Sequence, residues 1–172
     1  MKEKLRSDQD AEKQWQVVDS AFELIYNRQN ITLRYQTLFD VFHVLVISDF
    51  GKRVADWLEQ SFTRVAGRIC SQVEQINSDR VAVFNKEYAE YLNLIDKVQK
   101  IAIYYDSRFA LPKKLPLSAL IGHNVMRQTM VSSAAVDAIV QDVLKALDDL
   151  RCGVYCDYLM IRNSVNSIVR QA

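Results

Sequence analysis

The sequence predicts an all-α fold, an elongated antiparallel bundle of about five to seven helices. Three observations point there. Only four glycines and two prolines occur in 172 residues, and both prolines fall within Ala110–Pro116, so turn formers are too few for many short elements. Apolar residues recur at offsets of three and four along most of the chain. No stretch sustains the strict alternation of a half-buried strand.

Taken in order, residues 1–10 read as a flexible N-terminal segment and residues 11–172 as one helical domain. The first helix is expected over about residues 11–28, with Trp15, Val18, Phe22 and Ile25 as its apolar stripe. Asn27–Asn30 is a polar break, and Thr32 is a candidate N-cap for a second helix ending near Ser48. Asp49 and Gly51 supply the following turn. A third helix, about residues 52–76, carries Val54, Leu58, Phe62, Val65, Ile69, Val73 and Ile76. Gly67 inside it is either tolerated at a cost of about 1 kcal/mol or admits a close helix neighbour.

Asn77 or Ser78 is expected to cap a fourth helix, with Asp79 suited to its positive N-terminal end. Phe84, Tyr88, Tyr91, Ile95, Val98, Ala102 and Tyr105 carry that helix for roughly thirty residues. The segment LPKKLP, Leu111–Pro116, is the clear connector. A fifth helix covers about residues 117–131, and Ser132 or Ser133 caps a sixth with Val136, Val140, Val143, Leu147 and Leu150 on its stripe. Arg151–Gly153 suits its C-terminus. A final helix runs from about Tyr155 to Val169 with Tyr158, Ile161, Val165 and Ile168.

Composition removes several classes of function. Apolar residues at 49% and charged residues at 25% fit a soluble globular protein. Lys plus Arg, 22, nearly cancels Asp plus Glu, 21, so neither nucleic acid nor an anionic membrane is expected as a partner. No apolar run approaches the ~20 residues of a membrane span, and Met1–Trp15 lacks the apolar core of a secretory signal. Cys70, Cys152 and Cys156 form neither a disulfide framework nor paired zinc spacing, and read as buried or incidental thiols in a reduced intracellular compartment.

Chemistry is equally sparse. His43 and His123 lie far apart, so a metal site would need the fold to bring them together. No phosphate loop, dinucleotide fingerprint, nucleophile elbow or zinc-protease motif occurs. Asp148 and Asp149 read as solvated carboxylates at a helix end, and Lys113–Lys114 is too small for a phosphate track. No catalytic residue, metal, cofactor or small-molecule substrate is therefore expected.

One stretch carries more aromatic character than a single buried face needs. In Ile31–Val46, Leu38, Phe42 and Leu45 make one row, and Tyr35, Phe39 and His43 make a second. At ~100° per residue the rows are turned apart by roughly a hundred degrees. The second row is either further core of a central helix or a surface for a partner. Tyr and His combine an apolar body with a wet end, which favours the partner. Ile101–Phe109, IAIYYDSRF, is a later echo of the same composition.

These residues resemble the N-terminal region of the cullin family. Ile25–Arg28 followed by RYQTLFDVFHVLV is similar to the family's helix end, short gap, and segment R/S-aromatic-x-x-L-Y-x-x-x-Y. Tyr35 stands at the leading aromatic and Leu38 at the leucine, while Phe39 and His43 replace the two tyrosines. IAIYYDSRF resembles the family's Y-L/M-D-R-aromatic segment through Tyr104, Asp106 and Arg108, with Ser107 as an added residue. LPLSALIGHNVMRQ and the helix end LDDLRCG are similar as well, so the likeness covers about residues 14–170, one cullin repeat.

The resemblance implies a non-catalytic scaffold. Cullins are the backbones of multisubunit RING ubiquitin ligases, and their first repeat receives a substrate adaptor, commonly of BTB fold. The adaptor face it implies is Tyr35, Gln36, Phe39, His43, Tyr104 and Arg108. It also implies action in the cytoplasm, the nucleus or both. The family's further repeats and C-terminal domain do not fit in 172 residues, so an excised repeat or a free-standing module without ligase activity is expected. The predicted final helix, reaching almost to Ala172, favours excision, and the closing SIVRQA lacks the lysine that follows IVR at the family's modification site. The competing reading is another all-helical interaction module, of tethering or coat type.

Overall fold

The computed structural model of the chain describes residues 8–26, 35–76, 78–153, 161–163 and 165–166. Among them the fold is all-α, as the periodicity predicts, with no strand. The elements are α1 (Asp8–Tyr26), α2 (Tyr35–Ile47), α3 (Gly51–Gln75), α4 (Arg80–Ile101), α5 (Ile103–Tyr105), a π-helical turn (Asp106–Ala110), α6 (Ser118–Ser132) and α7 (Ala135–Arg151). The expectations for Asn27–Asn30, Thr32, Asn77 and most of the final helix lie outside the described residues. The described part of that last segment, 161–163 and 165–166, is helical.

The chain divides into two compact units, residues 1–61 with 92–122 and residues 62–91 with 123–172. The first is organised around Trp57. Its indole meets Phe22 at 5.4 Å and Phe42 at 5.8 Å between centroids, both edge-on, and Trp15 at 6.4 Å. Edge-to-face rings bring the positive rim of one ring to the negative face of the next. Trp57 Nε1 donates to Asp19 Oδ1 at 2.6 Å, so the polar end of this large side chain is satisfied. Arg53 lies over Trp15 and also pairs with Glu12 at 3.0 Å, which ties α3 to α1 on the solvent side.

The second unit packs Phe62 against Tyr91 at 5.8 Å and stacks Phe84 on Tyr88 at 5.5 Å. Arg80 gathers the carbonyls of Val73 and Ile76, left without helical partners where α3 ends, and reaches Asp142 at 3.0 Å on α7. One guanidinium thus closes the end of α3 and holds α7. Burial pushes the Cys70 thiol up, against a hydrogen bond with Ser133.

The predicted stripes are buried along α1, α3 and α4, with Ile25 and Ile76 half-buried at the stripe ends. Five local expectations are corrected. α1 begins at Asp8, three residues before the expected helix start near Ala11. The fourth helix is not continuous: it stops at Ile101, and Ala102 leaves the helical region at φ −84°, ψ 9° before α5 and the π-helical turn resume. Ser132 and Ser133 do not cap α7. Their hydroxyls donate backwards to Gln128, Thr129 and Met130 carbonyls, and Ala134 stands at the cap position. The buried row of α7 is Ala135, Ile139 and Val143, one position away from the predicted Val136 and Val140.

The fifth correction concerns glycine. Asp49 takes the left-handed turn conformation, φ 69°, whereas Gly51 already begins α3. A Cβ on Gly51 would collide with the ring of Phe109, so a glycine is needed there for close approach. Gly67 has open space around it and is simply tolerated. α7 closes as predicted: Gly153 adopts φ 80°, and its N–H donates to the Leu150 carbonyl at 3.1 Å.

Candidate protein-interaction site

The two stretches singled out by composition meet in the first unit. α2 packs on α1 and on α5. Leu38, Phe42 and Leu45 are buried on the inner side of α2, which fixes the helix's rotation about its axis. That rotation turns the other row outward: Tyr35 is 52% exposed, Gln36 is exposed, and Phe39 and His43 are half-buried. Neither reading of the second row, pure core or free surface, describes it fully. Its first residue is open, and its last two are seated against a neighbour.

That neighbour is Tyr104. Its ring lies 4.1 Å from His43 and 6.4 Å from Phe39 between centroids, and Phe39 and His43 are themselves 6.5 Å apart. The three rings form a half-buried cluster across α2 and α5. Tyr104 faces outward because Tyr105, one residue on, is fully buried, and a helix turns ~100° between them. Tyr105 packs against Phe109 in a tilted pair at 5.7 Å between centroids and donates to the Pro116 carbonyl at 3.4 Å. Burial, with Asp106 and Asp56 adding, pushes its phenol up to about 12. It is an anchor that holds the segment while Tyr104 is displayed.

The π-helical turn follows directly. The Leu111 N–H donates to the Asp106 carbonyl at 2.9 Å, five residues back, the wide spacing that accommodates one additional residue in a helix. Asp106 then clips the connector: Oδ1 accepts from Ser118 N at 2.7 Å and Oδ2 from Ser118 Oγ at 2.8 Å. A carboxylate at the start of α6 also faces the positive end of its dipole. Burial pushes the Asp106 carboxyl up, opposed by the two Ser118 hydrogen bonds. Arg108 is exposed in the turn, outside the ring cluster.

Of the six residues predicted for the site, the structure therefore brings Phe39, His43 and Tyr104 into mutual contact. Tyr35 and Gln36 stand beside them on α2, with Gln36 donating to Asp40 at 3.0 Å. Sequence reasoning did not find the polar wall opposite. Tyr35, Gln36 and Phe39 line one side of an open groove whose other side is Asn93, Asp96, Lys97 and Lys100 on α4. Lys100 pairs with Asp96 at 2.6 Å, and that partner holds its ammonium above the ordinary range. Nothing in a run of polar residues distinguishes this wall from any solvated helix face.

The arrangement suits recognition of a protein surface: aromatic anchors at the centre and a polar rim. Among the described residues no three His, Cys, Asp or Glu side chains gather where a metal ion would fit. No helix among them is long and apolar enough to cross a membrane.

An all-α chain displaying such a surface is of the helical scaffold class. The chain belongs to the cullin family, because the family model described as the cullin alpha solenoid domain matches residues 15–172. It is similar to Cullin-3B of Arabidopsis thaliana, with 20% identity over 157 residues, 90% of this chain and 21% of that protein. The chain thus spans about a fifth of the length of that curated relative.

Proposed function

We infer that this cullin-domain protein is a non-catalytic docking module that binds a BTB-fold adaptor through α2 and α5, acting in the cytoplasm or nucleus. The observation that carries the reading is the ring cluster of Phe39, His43 and Tyr104, half-buried at the surface and built from the two helices that the cullin resemblance assigns to the adaptor. Tyr35 and Gln36 extend the contact along α2, and Arg108 offers a charged rim position. In this role His43 keeps the flat, partly polar body of the tyrosine it replaces, so it changes the partner's local fit without emptying the site.

Support for a ubiquitin ligase is the resemblance alone. A ligase scaffold carries further repeats and a C-terminal domain that holds the RING subunit, and the matched length is about a fifth of the relative.

Affinity capture with the natural chain, Phe39→Ala and Tyr104→Ala tests the reading. The natural chain is expected to retain BTB-fold proteins, and each variant to lose them while melting within a few degrees of it. Capture of other protein classes with no BTB-fold protein among them would replace this reading with a tethering or coat-type module.

A further inference from the structure

The leucines exposed around the prolines, Leu111, Leu115 and Leu117, form an apolar surface with no chemistry that names a partner. The groove between α2 and α4 has such chemistry. Tyr35 and Phe39 make an aromatic wall, with Gln36 beside them, and Asn93, Asp96, Lys97 and Lys100 make a polar one.

The charges on that polar wall do not balance. Lys100 and Asp96 neutralise one another at 2.6 Å along α4. Tyr35 adds, after Asp96, to the upward shift of the Lys100 ammonium, so its phenol stands near that pair across the groove. Lys97 has no such arrangement. Its helical neighbours four residues away are Asn93 and Ile101, neither of them a carboxylate. Three residues away are Leu94 and Lys100, the second a like charge. Among the described residues Lys97 makes no ion pair or hydrogen bond, although it is half-buried. A cation held partly out of water beside aromatic rings, with no anion on its own chain, is complementary to an anion on another.

We propose that Lys97 pairs with a carboxylate of the protein partner that docks on Phe39 and Tyr104. An apolar side chain next to that carboxylate lies on Tyr35 and Phe39, and the Tyr35 phenol and Asn93 amide offer hydrogen-bond donors along the same groove. A partner without an acidic side chain at this point would bury the ammonium unpaired. Lys97 therefore selects against such partners among those presenting the same primary surface. The class of the partner rests on the adaptor reading above; the unpaired charge of Lys97 does not.

The test uses the full chain bound to the protein it retains in affinity capture. Zero-length carbodiimide coupling joins an amine only to a carboxylate in contact with it. Peptide mapping is expected to find Lys97 joined to an aspartate or glutamate of a BTB-fold protein. Lys97→Ala is expected to weaken binding about tenfold at low salt, with the difference shrinking as salt rises. Lys97→Arg keeps the charge and is expected to restore most of the affinity, and Lys97→Glu to bind more weakly than Lys97→Ala. All three variants are expected to melt with the natural chain, because the side chain makes no ion pair or hydrogen bond there to lose. A BTB-fold protein held equally by the natural chain, Lys97→Ala and Lys97→Glu overturns the proposal and leaves the adaptor reading intact. A partner of another class that couples to Lys97 and is lost with its charge upholds the pairing and overturns the adaptor reading. Coupling to other lysines but never to Lys97, or retention of no protein at all, overturns the proposal.

Discussion

The imidazole of His43 and the phenol of Tyr104 meet with ring centroids 4.1 Å apart at an interplanar angle of 60°, joining α2 to α5 at the surface. The contact is side chain to side chain and half-exposed, so it can orient the two helices without carrying the weight of the core. That weight falls on the other row of α2, where Phe42 is 2% exposed and packs edge-on against Trp57.

The two rows therefore separate in a stability measurement. Phe42→Ala is expected to cost about 3–5 kcal/mol, the loss for a buried aromatic plus the cavity it leaves. Phe39→Ala, half-buried, is expected to cost only about 1–2 kcal/mol, in proportion to the smaller area it removes from water. Urea unfolding of both variants reads the difference directly. Equal losses would place Phe39 in the core and remove it from any docking face.

Legibility in the sequence followed the physics of each element. Along α3, Val54, Leu58, Phe62, Val65, Ile69 and Val73 are all buried, because one narrow apolar row on a polar helix admits one rotation. α7 offered two adjacent rows, Ala135 and Ile139 beside Val136 and Val140, and periodicity does not choose between neighbours. The break at Ala102 was invisible for a different reason. Ala102 and Tyr105 are both buried on either side of it, so the stripe continues although the helix does not. Serine hydroxyls at 132 and 133 can serve the helix behind or the helix ahead, and here they serve the one behind. The ring cluster was legible because Tyr, Phe and His at four-residue spacing are unusual; the exposed leucines around the prolines were equally visible but had no periodicity to give them a face.

Asp106 links the site to pH. Its folded carboxyl holds its proton more tightly than in the unfolded chain, because burial outweighs the hydrogen bonds from Ser118. Its stabilising contribution is therefore complete below the unfolded pKa of about 3.9 and is lost as pH rises through the raised folded value. Asp106→Asn cannot ionise and still accepts from Ser118 N, so it is expected to flatten that part of the stability–pH curve and to match or exceed the natural chain at neutral pH. Asp106→Ala strands the N–H and hydroxyl of fully buried Ser118 and is expected to cost about 1–3 kcal/mol throughout. Denaturant unfolding from about pH 3 to about pH 7 measures both, and an unchanged slope in the Asn variant would show that Asp106 is not the group responsible.

Ser107 tests how the turn absorbs an added residue. In a regular α-helix one extra residue rotates everything beyond it by ~100°, which would swing Phe109 away from Tyr105 and Gly51. The π-helical turn from Asp106 to Ala110 takes up that rotation, and Ser107 is exposed within it, its hydroxyl 3.4 Å from the Tyr104 carbonyl. Deleting Ser107 is expected to convert the turn to ordinary α-helix, leave Tyr104 and Phe109 in place, and change stability by less than about 1 kcal/mol. Deleting Gln99, equally exposed but in the regular part of α4, has no such slack and turns the preceding or following stripe off the core, with a loss of several kcal/mol expected. Thermal unfolding followed by circular dichroism compares the two chains. If loss of Ser107 proves as damaging as loss of Gln99, the serine is part of the helix register and not an insertion within it.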